Sequence, residues 1–210
     1  MTAPLDVAVL WHMHQPDYRD RAKGRAVLPW VRLHAVKDYY PMAALVDEFP
    51  GVRVTFNYVP SLLDQLEDYL AGRMPDEHLI LTRVAAADLD QVGQLFLLRN
   101  FFMANHDTMI RPFPRYLELL EKRGPSAERR HLEAARRGFA ARDYLDLQVL
   151  FNLAWFGPYL LGTDALCREL VAKGQGFTES EKAALLERQR EVAAQVVPLL
   201  RRLAGEGRIE

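Results

Sequence analysis

The chain lacks several things that would classify it at once. Cys167 is the only cysteine in 210 residues, which excludes an internal disulfide and any cysteine-based zinc site. It falls in the apolar, helical-looking stretch TDALCRELV, so a buried, inert thiol is expected rather than a nucleophile. Neither charge dominates: 27 basic side chains face 28 acidic ones, which argues against a polyanionic partner, because nucleic-acid binders gather basic charge on one face. Arg129, Arg130, Arg136 and Arg137 sit among glutamates and alanines and read as a solvated helix face. No apolar run approaches the roughly 20 residues of a membrane span. The N-terminus shows no basic segment followed by an apolar core and a small-residue cleavage site, so no signal peptide is expected. A soluble, cytoplasmic protein is the expectation, with neither nucleic acid nor membrane as partner.

Half of the residues are hydrophobic, enough for one large domain or two small ones with a real core. The first 70 residues alternate. DVAVLW at 6–11 suits a strand buried on both faces. HAVKDYYPMAALVDEF at 34–49 has helical spacing, with Pro41 either kinking it or marking its first turn. VRVTFNYV at 52–59 predicts a second strand, and Pro60-Ser61 opens SLLDQLEDYL as a helix. Strand, helix, strand, helix implies parallel strands with helical crossovers. From about 75 to 205 only helical patterns occur, near 76–87, 90–104, 111–122, 126–140, 141–155, 163–173 and 178–205. The last opens on a capping box, Thr178 with Glu181, and contains Pro198, where a kink is expected. The fold class expected is α/β and helix-rich: a βαβα start at 1–72, a helical insertion at 73–205, and the start of a third strand at 206–210.

The segment with chemical character is VAVLWHMHQPDY, at 7–18. Side chains alternate along a strand, so His12 and His14 share a face and Met13 points the other way. Strand C-termini of parallel α/β folds are where functional groups collect. Two such imidazoles suit three roles: ordinary loop hydrogen bonding, a metal site, or a substrate site that bonds hydroxyls. A zinc site would need further ligands, and His34, His78, His106 and His131 show no partner spacing. The residues alone leave the metal and substrate readings both open.

WHMHQP resembles the first motif of glycoside hydrolase family 57, the α-amylase-like retaining enzymes. LPWVRLHAVKDYY (28–40), TFNYVPSLLDQL (55–66), RPFPRYLELLEKRG (111–124), DLQVLFNLAWFGP (146–158) and GEGRIE (205–210) are similar to that family's N-terminal part, in order. The resemblance implies an incomplete (β/α)7 barrel with a helical insertion after the second strand. It implies an α-glucan or maltooligosaccharide as substrate, with no cofactor and no metal. His14 matches the histidine of the HQP motif beside the sugar cleft, and His12 is assigned a supporting role on the same face. Trp30 is either a sugar-stacking platform or a loop tryptophan closing the core. Glu210 matches the glutamate of the second motif, which lines the cleft.

A retaining mechanism needs two carboxyl groups about 5–5.5 Å apart. The resemblance places both on later strands, so no catalytic residue is assigned within the chain. Asp38, Asp47, Asp64 and Glu67 fall on helices expected outside the barrel, with solvent-exposed carboxylates. Asp17 and Asp20 follow the HQP strand but have no paired carboxylate. The chain is therefore expected to be a truncated α-glucan enzyme, inactive alone and prone to self-association through an unpaired strand edge. The competing expectations are a non-catalytic saccharide-binding or regulatory module and, less favoured, a metal-dependent hydrolase using His12 and His14.

Overall fold

A computed structural model describes Leu5 and residues 7–210. Strand β1, Leu10–Met13, runs into a short antiparallel hairpin, β2 Arg19–Asp20 with β3 Arg25–Ala26, which the sequence pattern did not signal. One long helical segment follows: α1 Trp30–His34, a π-helical turn Ala35–Tyr39, and α2 Tyr40–Glu48. Pro41 has no amide hydrogen to continue an α-helical ladder, and the chain absorbs this in the π-turn, where the Tyr40 amide donates back to the Ala35 carbonyl. The segment therefore starts four residues before the expected 34, and Pro41 lies inside it. Strand β4, Thr55–Tyr58, leads through Pro60 into α3, Pro60–Leu70. Proline suits this first helical position because its missing N–H would be unpaired there in any case.

β1 and β4 pair in parallel, with His12 beside Asn57 and Met13 beside Tyr58. On the other side of β4, Ile209 bridges Val54 in parallel, and the Phe56 amide donates to the Glu210 carbonyl at 2.8 Å. β4 is thus central and β1 lies at an edge. The expectation of a first strand at 6–11 buried on both faces is corrected on two counts. Pairing lies further along, reaching the Met13 carbonyl, and Val7, Val9, Leu10 and Trp11 are exposed. An apolar run marks strand propensity but does not say which residues find a partner. Here β1 has one neighbour, and only one face of the sheet is covered.

That covered face carries Met13, Phe56 and Tyr58 and packs on Val31, Ala35, Tyr39, Leu62, Leu66, Ala193 and Val196. The remaining elements are helical: α4 Glu77–Arg83, α5 Gln91–Asn100, α6 Pro114–Arg123, α7 Arg129–Arg136, α8 Ala141–Ala154, α9 Gly157–Thr163, α10 Ala165–Lys173 and α11 Glu179–Gly205. Their starts follow capping chemistry. Asp76, Asp90 and Asp164 accept the amides of Leu79, Gly93 and Cys167, each supplying an acceptor to an otherwise unpaired first-turn donor. Thr178 and Glu181 form the expected reciprocal box, and α11 continues unbroken through Pro198. Among the described residues no helix is long and apolar enough to cross a membrane.

α8 is the axis of the helical part and is buried almost all round. Its buried carboxylate and amide side chains are paired: Asp143 with Arg115 and Lys122, Asp146 with Arg115 and two loop amides, Gln148 with Lys182, and Asn152 with Arg32. Arg32, 2 % exposed, crosses from α1 to Asp76, Asn152 and Gln189, joining the βα start to α4, α8 and α11. Cys167 is fully buried, and burial pushes its thiol pKa well up, as expected of an inert thiol. Arg129, Arg130 and Arg137 lie on the exposed face expected of them, whereas Arg136 is partly buried and donates to Gln94.

Candidate saccharide-binding site at the strand ends

The parity of the strands sorts the side chains. Met13 is buried beneath helices, so His12 and His14 point to the opposite, uncovered face, where their rings stack at 5.8 Å and 17°. Asn57 stands beside His12 in register and is exposed. Ile209 shares the covered face with Val54, so Glu210 projects on the histidine side and is exposed. It lies two strand widths from His12, about 10 Å across the sheet, and two residues lower along it. His12, His14 and Glu210 thus share a surface without touching.

Gln15, the next residue, turns inward and acts as an anchor. Its Nε2 donates to Tyr39 Oη at 3.0 Å, and its Oε1 accepts from Tyr18 Oη at 2.8 Å. The loop backbone is held by α3. Ser61 Oγ donates to the Gln15 carbonyl, Gln65 Nε2 donates to the Pro16 carbonyl, and Gln65 Oε1 accepts the Tyr18 amide. In H-Q-P, the histidine is presented, the glutamine is the internal tether, and the proline ends the ladder. Burial pushes the Tyr39 hydroxyl up to about 12, so it stays protonated as part of this framework.

Trp30 begins α1 rather than lying in a loop. It is half-buried, 5.4 Å from the Trp155 ring and 6.2 Å from His34. It meets the histidine strand only indirectly, through His34, Tyr39 and Gln15. His34, Asp38, Ser61, Gln65 and Trp155 all lie within the family-like segments, but none was assigned a role at the site. The spacing of His34 and Asp38, four apart in a helical pattern, was the one available signal.

The acidic residues resolve differently from one another. Asp17 is clamped by Arg19, whose hydrogen bonds hold its carboxyl at about 2; Arg19 also reaches Asp64 and Asp68. Asp20 pairs with Lys23, and Asp47 with Arg202. Asp64 and Glu67 are exposed as expected, but Asp38 is not. It is half-buried and bonded to His34 Nδ1 at 2.5 Å and Lys37 Nζ at 3.0 Å. Burial alone would raise its carboxyl pKa, but these bonds more than offset that and keep it below the usual carboxylate range. Among the described residues no group of three or more His, Cys, Asp or Glu side chains comes together that could hold a metal ion.

The sheet is thus covered on one face and carries His12, His14 and Glu210 on the other. The model for glycosyl hydrolase family 57 matches residues 8–210, and the chain belongs to that family. Neither a curated protein nor a solved structure matches it.

Proposed function

We propose that this chain builds the saccharide-binding side of a retaining hydrolase or transglycosylase acting on α-glucans. The observation that carries the reading is the uncovered sheet face. His12 and His14 are presented there in a stacked pair, on a loop pinned by Gln15, Ser61 and Gln65, and Glu210 shares the face. Glucosyl rings are recognised by polar side chains that bond hydroxyls and by aromatic faces that cover C–H groups. The imidazoles supply the first kind and Trp30 the second. In a barrel the helix-covered face is the outer one, which makes the histidine face the lumen.

Turnover asks for more. The carboxylates nearest the strand ends are committed: Asp17 to Arg19, Asp20 to Lys23, Asp38 to His34 and Lys37. A retaining pair needs two carboxyl groups about 5–5.5 Å apart, and on this reading none of these committed groups serves as the partner of Glu210. On this reading the 210-residue chain binds maltooligosaccharide and releases no reducing sugar. Isothermal titration with maltoheptaose, with cellohexaose as the β-linked control, tests the first half. Binding of the α-linked sugar alone, weakened about tenfold in His14→Ala, is expected, the loss matching one hydrogen bond to a hydroxyl. Equal binding of both sugars, or of neither, contradicts the reading. A reducing-sugar assay tests the second half, and steady release by the pure chain would overturn it.

A further inference from the structure

The π-turn of the long N-terminal helix builds a second polar device that the strand histidines do not use. His34, the last residue of α1, and Asp38, within the turn, are joined by the 2.5 Å contact at Nδ1. Asp38 is held as the carboxylate, which only accepts, so Nδ1 donates to it and Nε2 is the ring nitrogen left free to meet another partner. Nε2 bonds to no described residue and is not among the buried unpaired atoms, on a side chain 30 % exposed. Aromatic rings enclose the imidazole: Trp155 edge-on at 5.4 Å, Trp30 at 6.2 Å and Tyr39 at 6.2 Å.

The backbone is shaped for this. π-turns are rare and concentrate at functional sites. The turn is met closely by Gly157, at φ +69°, where a Cβ would stand 3.3 Å from both the Lys37 carbonyl oxygen and Lys37 Cγ. Packing alone would be served as well by an apolar side chain at 34. Instead, an oriented ring nitrogen with a half-buried tryptophan beside it faces outward, one tyrosine away from the Gln15 tether.

We propose that His34 is a substrate-contacting residue whose Nε2 hydrogen-bonds a glucosyl hydroxyl, with Trp30 against the same sugar and Asp38 as the positioning residue that orients the ring through Nδ1. The α-glucan path then extends from the strand histidines up onto α1. This rests on the saccharide-binding reading above, and the test separates the two.

The probe is maltoheptaose, titrated into the full chain as wild type, His14→Ala, His34→Phe and Asp38→Ala. Phenylalanine keeps a ring in the aromatic box and removes Nε2, so melting is expected to be unchanged while affinity falls about tenfold. In spectra of ¹⁵N-histidine-labelled protein, the His34 Nε2 signal moves on saturation with sugar, and those of His106 and His131 do not. Asp38→Ala loses the contact that orients the His34 ring and weakens binding severalfold, an effect that a merely structural carboxylate would not produce. If the wild type binds, His14→Ala weakens it, and His34→Phe binds like wild type with no Nε2 shift, this proposal is wrong and the wider reading stands. If the wild type does not bind, the wider reading fails and takes this one with it.

Discussion

Histidine is treated in opposite ways at the two ends of the molecule. At the strand ends, His12 and His14 are exposed on a sheet face that also leaves Leu10 exposed, and His34 nearby on α1 is partly exposed. In the helical part, His78 is 3 % exposed and packs against both Phe101 and Phe151, 5.6 Å from each ring, with Phe96 edge-on at 5.1 Å and neither ring nitrogen hydrogen-bonded. Burial pushes its pKa down to about 4, although Asp76 pulls the other way. One region tolerates exposed apolar surface and presents polar groups; the other buries even a histidine as if it were an aromatic hydrocarbon. The helical region holds the larger buried core, and the sheet region presents the polar groups proposed to meet the sugar.

The sharpest way to break this division is Arg32→Met. Arg32 links the two regions, and its removal strands the Asp76 carboxylate, whose pKa is held down by Arg32 against complete burial. Breaking a buried pair from one side costs about 3–5 kcal/mol. Urea denaturation should show a loss of that size, and a change below about 1 kcal/mol would mean that the link is not structural.

Next in size is the pH response of His78. Its folded pKa lies below the ordinary value of 6.5, so between pH 6.5 and 4 the unfolded chain takes up a proton that the folded chain refuses. Stability is full above about pH 6.5 and falls as the pH drops toward 4. The loss is on the order of 3 kcal/mol, from 2.5 pH units at about 1.4 kcal/mol each. Denaturation midpoints measured from pH 7 to 4 should slope accordingly, and His78→Phe should flatten the curve. An unchanged slope in that variant would show that other groups cause it.

The helical part was largely legible in the sequence because its signals are local. Caps such as Thr178 with Glu181 and apolar spacing of 3.6 residues placed the later helices within a few residues. What was misread depended on distant partners. The stretch 6–11 had the right composition for a strand, but pairing is decided by β4, and the ladder runs on to Met13. Asp38 was set aside as a solvent-facing helical carboxylate because the π-turn that half-buries it is not written in the spacing. The network around Arg32 spans up to 157 residues of chain and has no local trace. His12, His14 and Glu210 were picked by motif, and the structure puts them on one face; Gln65 and Trp155 became visible only with the fold.

Gly157 sharpens the comparison at intermediate size, because there the helical part abuts the π-turn. Alanine would be strained at φ +69° and would press on Lys37, so Gly157→Ala should lower stability by about 1–2 kcal/mol. A thermal melt checks the stability. Weaker maltoheptaose binding in the same variant would show that the turn must keep its shape for the site to work.

The smallest effect belongs to the sheet. Leu10 is 62 % exposed on the uncovered face, so Leu10→Lys should shift the stability of this chain by no more than about 0.5 kcal/mol, against the 2–5 kcal/mol of a buried leucine such as Leu62→Ala. Its effect should be seen in association instead. An edge strand with exposed apolar residues invites pairing with another chain, and a lysine there opposes it. Sedimentation velocity should show less self-association of Leu10→Lys than of wild type at the same concentration. A substitution that barely touches folding yet changes association places the apolar surface of β1 outside the energetics of this fold. A large stability loss would instead mean that the sheet contributes to the core as much as the helices do, and the division drawn between the two regions would fail.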